Sequence, residues 1–519
     1  MIRRVMPLIL GVLLVGATAL VAAEPPSAVE KEGGSEPKKQ ETSAIPKPEQ
    51  SITEHSIKVG GAVLKYKATA GTLVIRNDDD EAVAAVGYVA YTKDGVEAAR
   101  RPLTFAYNGG PGSSSIWLHM GALGPRRIVT TDAAPTPPPP YQVVDNEETP
   151  LDVTDLVMID PVGTGVSHAV GKAKNKDFWG VDQDIDSVGR FVVQYVNDNG
   201  RWNSPKYLLG ESYGTMRSAG LVDYLQARWN MAFNGVVLVS VFIDAKAAMT
   251  LSGNDLGFET YMPTYAAIAW YHKLVKDAPP LEAFLAEARQ FATGPYAVAL
   301  GKGDALPDAE RKQVIATMSR LTGLSPSFLD KANLRVSEGE FTAELLREHS
   351  EIVGRLDARF TGVALDRLAR EVHEDPQSAA ISPAFTAAFL SYYHGELRFG
   401  EGKTYKVEAD GLWREWDWKH KAPGSYFATP GWPNTGVDLA HAMAYNPDLR
   451  ILVLNGYYDL ATPFLGTEYT IDHLGLEKKL RDHIETRYFE AGHMMYLHPP
   501  SLKTFKEAIA RFVNATDRL

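Results

Sequence analysis

A short apolar run leads directly into a serine with a glycine two residues away on each side, in residues 207–215 (YLLGESYGT). This pattern is typical of a nucleophile elbow, a turn from a strand into a helix that is too tight for side chains beside the serine. Gly210 and Gly214 remove those side chains, so the Ser212 hydroxyl would project above a sheet. Taken alone, the same residues also fit a flexible serine–glycine turn, and the rest of the sequence has to distinguish the two.

Short apolar segments recur along the chain, and each is followed by a loop or a helical pattern. They are residues 103–107, 156–159, 207–209, 236–241, 451–454 and 484–489. Strands that alternate with helices predict the α/β class, with a mostly parallel central sheet and helices on both faces. Ahead of them, residues 63–66, 72–75 and 85–92 have strand-like patterns that predict antiparallel strands.

The clearest helical pattern lies at residues 181–196, with Ile185, Val188, Val192 and Tyr195 on one face. Three acidic residues near its start are interpreted as capping and solvating residues of the helix, not as a metal site. They are Asp182, Asp184 and Asp186. Residues 135–140 are rich in proline and predict an extended surface loop.

The N-terminus predicts export. Residues 1–23 have the outline of a signal peptide: Arg3 and Arg4, then an apolar segment too short to favour a membrane span, then small residues. We expect cleavage and no stable membrane insertion afterwards. The chain has no cysteine, which suits a bacterial periplasmic or secreted protein better than a disulfide-rich one. Residues 24–55 are polar and predict a disordered linker.

The net charge of the chain limits its possible partners, and a change from strand patterns to helical patterns divides it into domains. The formal net charge is -11 and there is no long basic block, so a nucleic-acid partner is not expected. Strand patterns fade between about residues 246 and 435, where helical patterns appear at 265–275, 281–291, 340–349 and 384–393. We predict a hydrolase-type core at 56–245 and 436–519, and a helical cap insertion at 246–435 over the carboxyl edge of the sheet.

Serine-dependent hydrolysis needs a base and an acid, and both follow predicted strands. Asp459 comes after the segment 451–454, and His493 after 484–489. The chain order Ser212, Asp459, His493 is that of the α/β-hydrolase arrangement. Asp160 also ends a strand but precedes Ser212, so it would break this order. Three further histidines lie in or near the same loops and are weaker candidates for substrate contact, namely His119, His168 and His498.

A glycine-rich loop at residues 108–115 (NGGPGSSS) follows the segment 103–107. Its glycines would let backbone N–H groups approach a substrate oxygen closely. A phosphate-binding loop would need lysine followed by serine or threonine, which this loop lacks. No sequence pattern for a metal site was found, so we expect neither metal nor cofactor.

Five motifs together resemble the serine carboxypeptidase family (peptidase family S10) of α/β hydrolases. They are NGGPGSSS (108–115), DPVGTGVS (160–167), GESYGT (210–215), NGYYDLATP (455–463) and GHMMY (492–496). The resemblance implies an α/β-hydrolase fold with Ser212 as nucleophile, His493 as general base and acid, and Asp459 orienting it. It also implies that the backbone N–H groups of Gly110 and Tyr213 form the oxyanion hole.

The same resemblance implies that Asn108, Gly109 and Glu211 bind the terminal carboxylate of a substrate. A carboxyl group can hydrogen-bond a carboxylate only if one of them is protonated, which favours acidic conditions. The family's second glutamate falls at Ala122 here, and its cysteine after the glycine loop is Ser113. Loss of one partner would weaken discrimination for a free C-terminus by about 1–3 kcal/mol, and we expect a less acid-restricted pH profile.

The sequence therefore predicts an exported serine-type carboxypeptidase that acts on peptides through an acyl-enzyme. An esterase or acyltransferase with the same three residues is the alternative, and a catalytically silent binding protein is a third. Tyr213 and Met494 are near enough in sequence to the nucleophile and the base to line a substrate pocket.

Overall fold

The computed structural model describes residues 45–372, 374–409 and 411–517. The predicted signal peptide (1–23) and the first part of the predicted linker lie outside the described residues. The main strands are β1 (Gln50–Val59), β2 (Ala62–Arg76), β3 (Ala82–Lys93), β4 (Leu103–Tyr107), β5 (Asp155–Ile159), β6 (Lys206–Ser212), β7 (Gly235–Val241), β8 (Arg450–Gly456) and β9 (Ile484–Phe489).

Within the described residues these strands form one sheet in the order β1-β2-β3-β5-β4-β6-β7-β8-β9, and the short strand His168–Ala169 pairs with β3. The first strands pair antiparallel, and every pair from β5 to β9 along this order is parallel. The parallel strands β4, β5 and β7 are buried on both faces, which explains their continuous apolar sequences, whereas the edge strand β9 is partly exposed. The architecture is the α/β-hydrolase fold that the motifs predicted.

Two predictions at the N-terminal edge were wrong in detail. Residues 63–66 and 72–75 are not separate strands but parts of the single long strand β2. The predicted linker ends before residue 55, because β1 already begins at Gln50 and pairs with β2 from the Gln50–Gly71 position onward. The many polar residues of this segment had predicted a disordered linker. In β1, exposed side chains alternate with partly or fully buried ones, as in a strand with one covered face.

The longer helices are α1 (Val181–Asp198), α2 (Tyr213–Trp229), α3 (Asp255–Tyr271), α4 (Leu281–Phe291), α5 (Asp308–Thr322), α6 (Pro376–Gly395), α7 (Gly436–Tyr445), α8 (Phe464–Asp472) and α9 (Pro499–Thr516). Shorter helices are Ile116–Leu118, Ala297–Lys302, Pro326–Lys331, Glu338–Glu344, Leu412–Glu415 and Lys478–Arg481. Two hairpins pair Arg126–Ile128 with Val143–Asp145 and Glu351–Val353 with Thr361–Val363.

Helices cover both faces of the sheet, as predicted. On one face α6 and α9 contribute Phe385, Phe389 and Phe505 to a core shared with the inward side chains of the strands. On the other face α1, α2 and α7 pack on the strands, and the predicted apolar face of α1 is buried there. Each side chain on these faces gains about 1.5–3 kcal/mol from leaving water, so the two layers of helix fix the sheet in place.

The insertion is mainly helical, and it has its own apolar cluster. That cluster joins residues from α3, α4 and α5 to Tyr458 and Leu460, in the loop after β8. Residues 281–291 form α4 as predicted. The predicted helix at 340–349 instead begins at Glu338 and ends at Glu344, because Ser337 and Glu340 form a capping box that fixes the first turn.

Among the described residues, no helix combines the length and the apolar character that a membrane crossing requires. Residues 135–140 form no helix or strand and are mostly exposed, as predicted for this proline-rich loop.

Candidate active site

Ser212 lies at the junction of β6 and α2, where the chain turns sharply. Its φ of 61° and ψ of -131° are unfavourable for a residue with a side chain, so the surrounding structure holds it in this conformation. A Cβ atom at Gly210 would lie 2.1 Å from the Gly214 carbonyl oxygen, and one at Gly214 would lie 3.0 Å from the Tyr107 carbonyl oxygen. The structure therefore has the strand–turn–helix unit that the two glycines predicted.

The glycine-rich loop packs against this turn. A Cβ atom at Gly109 would lie 2.5 Å from the Tyr213 backbone nitrogen and 2.6 Å from that of Gly214. Gly110 has a φ of 105°, in the region that glycine adopts most readily. Gly110 and Tyr213, the predicted oxyanion donors, line the same cavity as Ser212. The glycine-rich loop and the turn at Ser212 are therefore in direct contact.

The predicted acid and base are in direct contact. His493 Nδ1 lies 2.7 Å from Asp459 Oδ2, and both side chains are buried. Burial by itself would lower the pKa of His493, but the Asp459 carboxylate outweighs it and raises that pKa above its ordinary value. Because Nδ1 is engaged with Asp459, Nε2 is the ring nitrogen that remains for proton exchange, and His493 lines the same cavity as Ser212.

Asp459 is surrounded by donors. Its Oδ1 accepts hydrogen bonds from the backbone N–H groups of Ala461 at 2.8 Å and Thr462 at 3.0 Å. Its Oδ2 accepts from the Thr462 hydroxyl at 2.6 Å, in addition to the contact with His493. These donors replace the water that a buried carboxylate loses, so Asp459 is held in a fixed orientation.

A segment of the insertion binds both of the loops that carry these residues. We call residues 354–360 the clasp loop. The Leu356 carbonyl accepts a hydrogen bond from the His493 backbone N–H at 2.6 Å, and the Arg355 carbonyl accepts one from Leu460 at 3.0 Å. A Cβ atom at Gly492 would lie 2.4 Å from the Asp357 Cα atom. No sequence motif marks this segment, and it was not predicted.

A buried ion pair keeps the clasp loop in shape. Arg359 Nε and Nη2 donate to the Asp357 carboxylate, with 2.7 Å between Nη2 and Oδ2, and neither side chain is exposed. Arg359 also contacts Asp132 at 3.2 Å. Because the pair joins residues two positions apart, it fixes a tight local conformation directly behind Gly492.

The predicted carboxylate-binding residues are also brought together. Asn108 Nδ2 donates to Glu211 Oε1 at 2.9 Å, and Asn108 Oδ1 accepts from the Leu118 backbone N–H at 3.0 Å. Glu211 Oε2 is buried without a hydrogen-bond partner among the described residues. Burial is the main reason that the pKa of Glu211 is raised to about 7. Glu211 is thus a carboxyl group that can be protonated near neutral pH.

The interpretation of the acidic residues at the start of α1 was wrong for Asp184. Its carboxylate is buried and accepts from Arg217 Nε at 2.7 Å and Nη2 at 3.1 Å. Arg217 Nη1 also donates to the Asn108 carbonyl at 2.8 Å. The pair connects α1, α2 and the glycine-rich loop beneath the elbow. The sequence showed the acidic residue but not the arginine, which approaches from a different helix.

The weaker candidates take other positions. Asp160 accepts from the backbone N–H and the hydroxyl of Ser115, both at 2.9 Å, and so fixes the glycine-rich loop. His119 is buried against the Tyr91 hydroxyl, and burial lowers its pKa to about 3. His168 and His498 do not line the cavity described below.

Ser212 opens into a cavity of about 480 Å³. The core contributes Met494 and Phe242, and the insertion contributes Trp413, Trp418 and Arg355. Met494 thus lies on the cavity wall, and its contact with a substrate stays a prediction. The mixture of aromatic walls and a few polar groups suits an extended organic substrate. The insertion therefore helps to shape the space in front of the serine, as expected for a cap.

In the part of the chain that the structure describes, no group of three or more His, Cys, Asp or Glu side chains is arranged to hold a metal ion.

Comparison with known proteins gives one family match. Residues 66–282 match the model of the serine carboxypeptidase family. A search of curated proteins found no match.

Several solved structures are similar to this chain at low identity. One is proline iminopeptidase from Mycobacterium smegmatis, with 15% identity, coverage of 86% of this chain and 98% of that one, and a TM-score of 0.35. A thermophilic esterase from Thermogutta terrifontis has 11% identity, coverage of 86% and 99%, and a TM-score of 0.33. The juvenile hormone epoxide hydrolase from the silkworm Bombyx mori has 12% identity, coverage of 87% and 80%, and a TM-score of 0.34.

Proposed function

We propose that this protein is a serine-type carboxypeptidase that releases C-terminal residues from peptides, and the match of residues 66–282 to the serine carboxypeptidase family model supports this proposal. The observation that carries the proposal is Glu211, a buried carboxyl group with one unpartnered oxygen, directly before Ser212 in the sequence. A buried polar atom without a partner is costly, so it is retained where a ligand can supply the missing hydrogen bond.

In the first step, the Ser212 hydroxyl attacks the carbonyl carbon of the last peptide bond. His493 Nε2 takes the hydroxyl proton, and the Asp459 carboxylate stabilises the imidazolium that forms. The backbone N–H groups of Gly110 and Tyr213 donate to the oxyanion. The tetrahedral intermediate then collapses, His493 returns the proton to the leaving amine, and the C-terminal amino acid departs.

In the second step, water replaces the departed amino acid. His493 removes a proton from this water, which attacks the ester carbon of the acyl-enzyme. The same oxyanion donors stabilise the second intermediate, and the proton passes from His493 to the Ser212 oxygen as the shortened peptide leaves.

Glu211 would select the free C-terminus. In its protonated form it can donate from the oxygen that lacks a partner to the substrate carboxylate, while the Asn108 side chain and the Gly109 backbone lie beside it. Since the pKa of Glu211 is raised to about 7, the protonated form is abundant up to neutral pH. His493 must be neutral to act as a base, so one proton is shared between two neighbouring groups.

The decisive experiment compares an N-blocked dipeptide with its C-terminal amide. We expect kcat/KM for the free acid to exceed that for the amide by about 10²-fold at pH 6, because the amide loses charge-assisted hydrogen bonds. Equal turnover of the two would contradict carboxypeptidase specificity and would leave serine hydrolysis intact. A neutral ester of the same acyl group reports on Ser212, Asp459 and His493 alone.

Ala122 is the observation that favours a second candidate, an esterase or acyltransferase. The family resemblance puts a second carboxylate-binding glutamate at this position, where this chain has a buried methyl group, so the proposed clamp has one carboxyl group instead of two. Product analysis in the presence of competing alcohols tests this alternative. If more ester of the added alcohol forms than free acid from hydrolysis, the protein is an acyltransferase. If no such ester forms, the acyltransferase alternative is wrong.

A fluorophosphonate probe separates both enzymes from a silent binding protein. Labelling of the wild type and of Ser327→Ala, an exposed-site control, with none in Ser212→Ala, is the expected result. A folded wild type that resists labelling would favour the binding protein.

A further inference from the structure

Two buried polar atoms near the candidate active site have no hydrogen-bond partner among the described residues: Glu211 Oε2 and the Tyr496 hydroxyl oxygen. The Tyr496 hydroxyl lies beside the Glu211 carboxyl: burial raises the pKa of both groups, and the interaction between the two lowers the pKa of Glu211 and raises that of Tyr496. Tyr496 is only 2% exposed, so bulk water does not supply the hydrogen bonds that its hydroxyl lacks. Unpaired buried groups of this kind are uncommon, and two of them side by side need an explanation.

The ring of Tyr496 is held firmly in this place. A Cβ atom at Gly121 would lie 2.5 Å from Tyr496 Cε2 and 2.8 Å from Cδ2, so the ring rests directly on the backbone there. Its other side meets the edge of Phe505, with ring centroids 5.9 Å apart. Tyr496 is three residues after His493, in the short helical turn Met495–Leu497. The hydroxyl cannot move far from Glu211 without moving the catalytic loop.

We propose that Tyr496 is a positioning residue whose hydroxyl controls the protonation of Glu211, and thereby the pH range in which a free C-terminus is accepted. This inference rests on the proposed carboxypeptidase function. When Glu211 is ionised, the hydroxyl is the donor that can turn to its unpartnered oxygen and stabilise the anion. When Glu211 is protonated, the same oxygen is free to donate to the substrate carboxylate, and the tyrosine can act as an acceptor.

The other groups that face Glu211 belong to three loops. His493 stabilises the carboxylate by its charge, Asn108 stabilises it by its hydrogen bond, and Asp459 opposes ionisation. Replacing Tyr496 with phenylalanine leaves all three in place and removes one donor to the ionised form. The pKa of Glu211 should therefore rise, and the protonated form should persist to higher pH.

The test measures kcat/KM against pH for the N-blocked free-acid dipeptide and for the neutral ester of the same acyl group. In Tyr496→Phe we expect the alkaline limb of the free-acid profile to move up by about one pH unit, while the ester profile keeps its shape. An unmoved free-acid limb would overturn the proposal, and so would an equal shift of both profiles, which indicates a general disturbance of His493.

A control variant and a stability measurement make this test independent of folding defects. Tyr207→Phe removes another buried hydroxyl, bonded to Thr516 at 2.8 Å, and should move neither profile. If Tyr496→Phe is as stable as the wild type and its free-acid limb does not move, Tyr496 does not act on Glu211.

An infrared titration separates this proposal from the proposed function. The carbonyl band of the protonated Glu211 side chain is identified by its loss in Glu211→Gln, and its midpoint is followed against pH. We expect a higher midpoint in Tyr496→Phe than in the wild type, and an unchanged midpoint would refute the proposal. If no free-acid peptide is cleaved at all, the carboxypeptidase proposal fails, but this titration still decides the role of Tyr496.

Discussion

Asp459 and Glu211 are both buried carboxyl groups that act electrostatically on His493, yet their surroundings differ. Asp459 accepts hydrogen bonds from two backbone N–H groups, a threonine hydroxyl and the histidine ring. Glu211 accepts one, from Asn108, and its other oxygen has no partner among the described residues. Hydrogen bonds from the protein therefore replace the lost hydration of Asp459, whereas those to Glu211 replace only part of it.

This difference shows how one site can contain two carboxyl groups with different chemical tasks. A carboxylate with many donors stays ionised and can stabilise a cation throughout catalysis. A carboxyl group that is buried with few donors is easily protonated, and can then donate a hydrogen bond. Donor number, more than burial, separates the proposed acid of the triad from the proposed substrate clamp.

The largest effect should come from Asp459→Asn. The amide leaves His493 without a counter-charge and favours the wrong tautomer, so we expect kcat to fall by about 10⁴-fold for both the free-acid peptide and the ester. Steady-state kinetics on both substrates measure this, with the exposed Asp472→Asn as a control. A loss restricted to the free acid would contradict the role assigned to Asp459.

A third buried carboxylate, Asp184, is compensated by charge instead of by several neutral donors. In Arg217→Met it would lose its counter-ion, and we expect the free energy of unfolding to fall by about 3–5 kcal/mol. The double variant Arg217→Met/Asp184→Leu should recover most of this loss, since no uncompensated charge remains. Chemical denaturation tests both, and a double variant as unstable as the single one would show that lost packing dominates.

Glu211→Gln should stabilise the protein at alkaline pH. The pKa of Glu211 in the folded protein is about 7 against an ordinary 4.5. A raised carboxyl pKa means that its contribution to stability is present below pH 4.5 and is lost as pH rises through 7. The amide avoids this loss, so we expect the unfolding free energy at pH 8 to rise by about 3 kcal/mol over the wild type, with little change at pH 4.

Denaturation curves at both pH values measure this difference. The matched control is Glu507→Gln, which changes an exposed glutamate on α9 and should have the same small effect at both pH values. If Glu211→Gln were equally stabilised at pH 4 and pH 8, the ionisation of Glu211 would not be what destabilises the wild-type protein at pH 8.

The smallest expected effect tests donor number directly. Thr462→Val removes the hydroxyl that donates to Asp459 Oδ2 at 2.6 Å, and we expect kcat to fall by about 10-fold. Thr462→Ser keeps the donor and should lose less than half of the activity. If valine and serine have the same kcat, the hydroxyl does not contribute to holding Asp459.

The central parallel strands were predictable because they are buried on both faces and form continuous apolar segments. Residues 103–107 form a strand with the predicted bounds, and so do residues 484–489, although that edge strand is partly exposed. The elbow was predictable because only glycine fits at Gly210. The start of the helix Glu338–Glu344 could have been predicted from the capping box of Ser337 and Glu340, a signal that the helical periodicity obscured.

Other parts of the site depend on contacts between distant parts of the chain. The hydrogen bond from His493 to Leu356 and the ion pair of Arg217 with Asp184 join residues that no local pattern relates. The proximity of Tyr496 to Glu211 is of the same kind. A sequence pattern predicts which face of a helix or strand is buried, but it does not predict which residue of another element contacts that face.

The clasp loop has a consequence for rebuilding this protein. An exchange of the whole insertion for that of a relative would also replace the Leu356 carbonyl that accepts from His493 and the Arg355 carbonyl that accepts from Leu460. The insertion is therefore not an independent module: part of it is a structural support for the reaction centre. Redesign of substrate preference should keep residues 354–360 and change cavity-lining residues elsewhere in the insertion, such as Trp413 and Trp418.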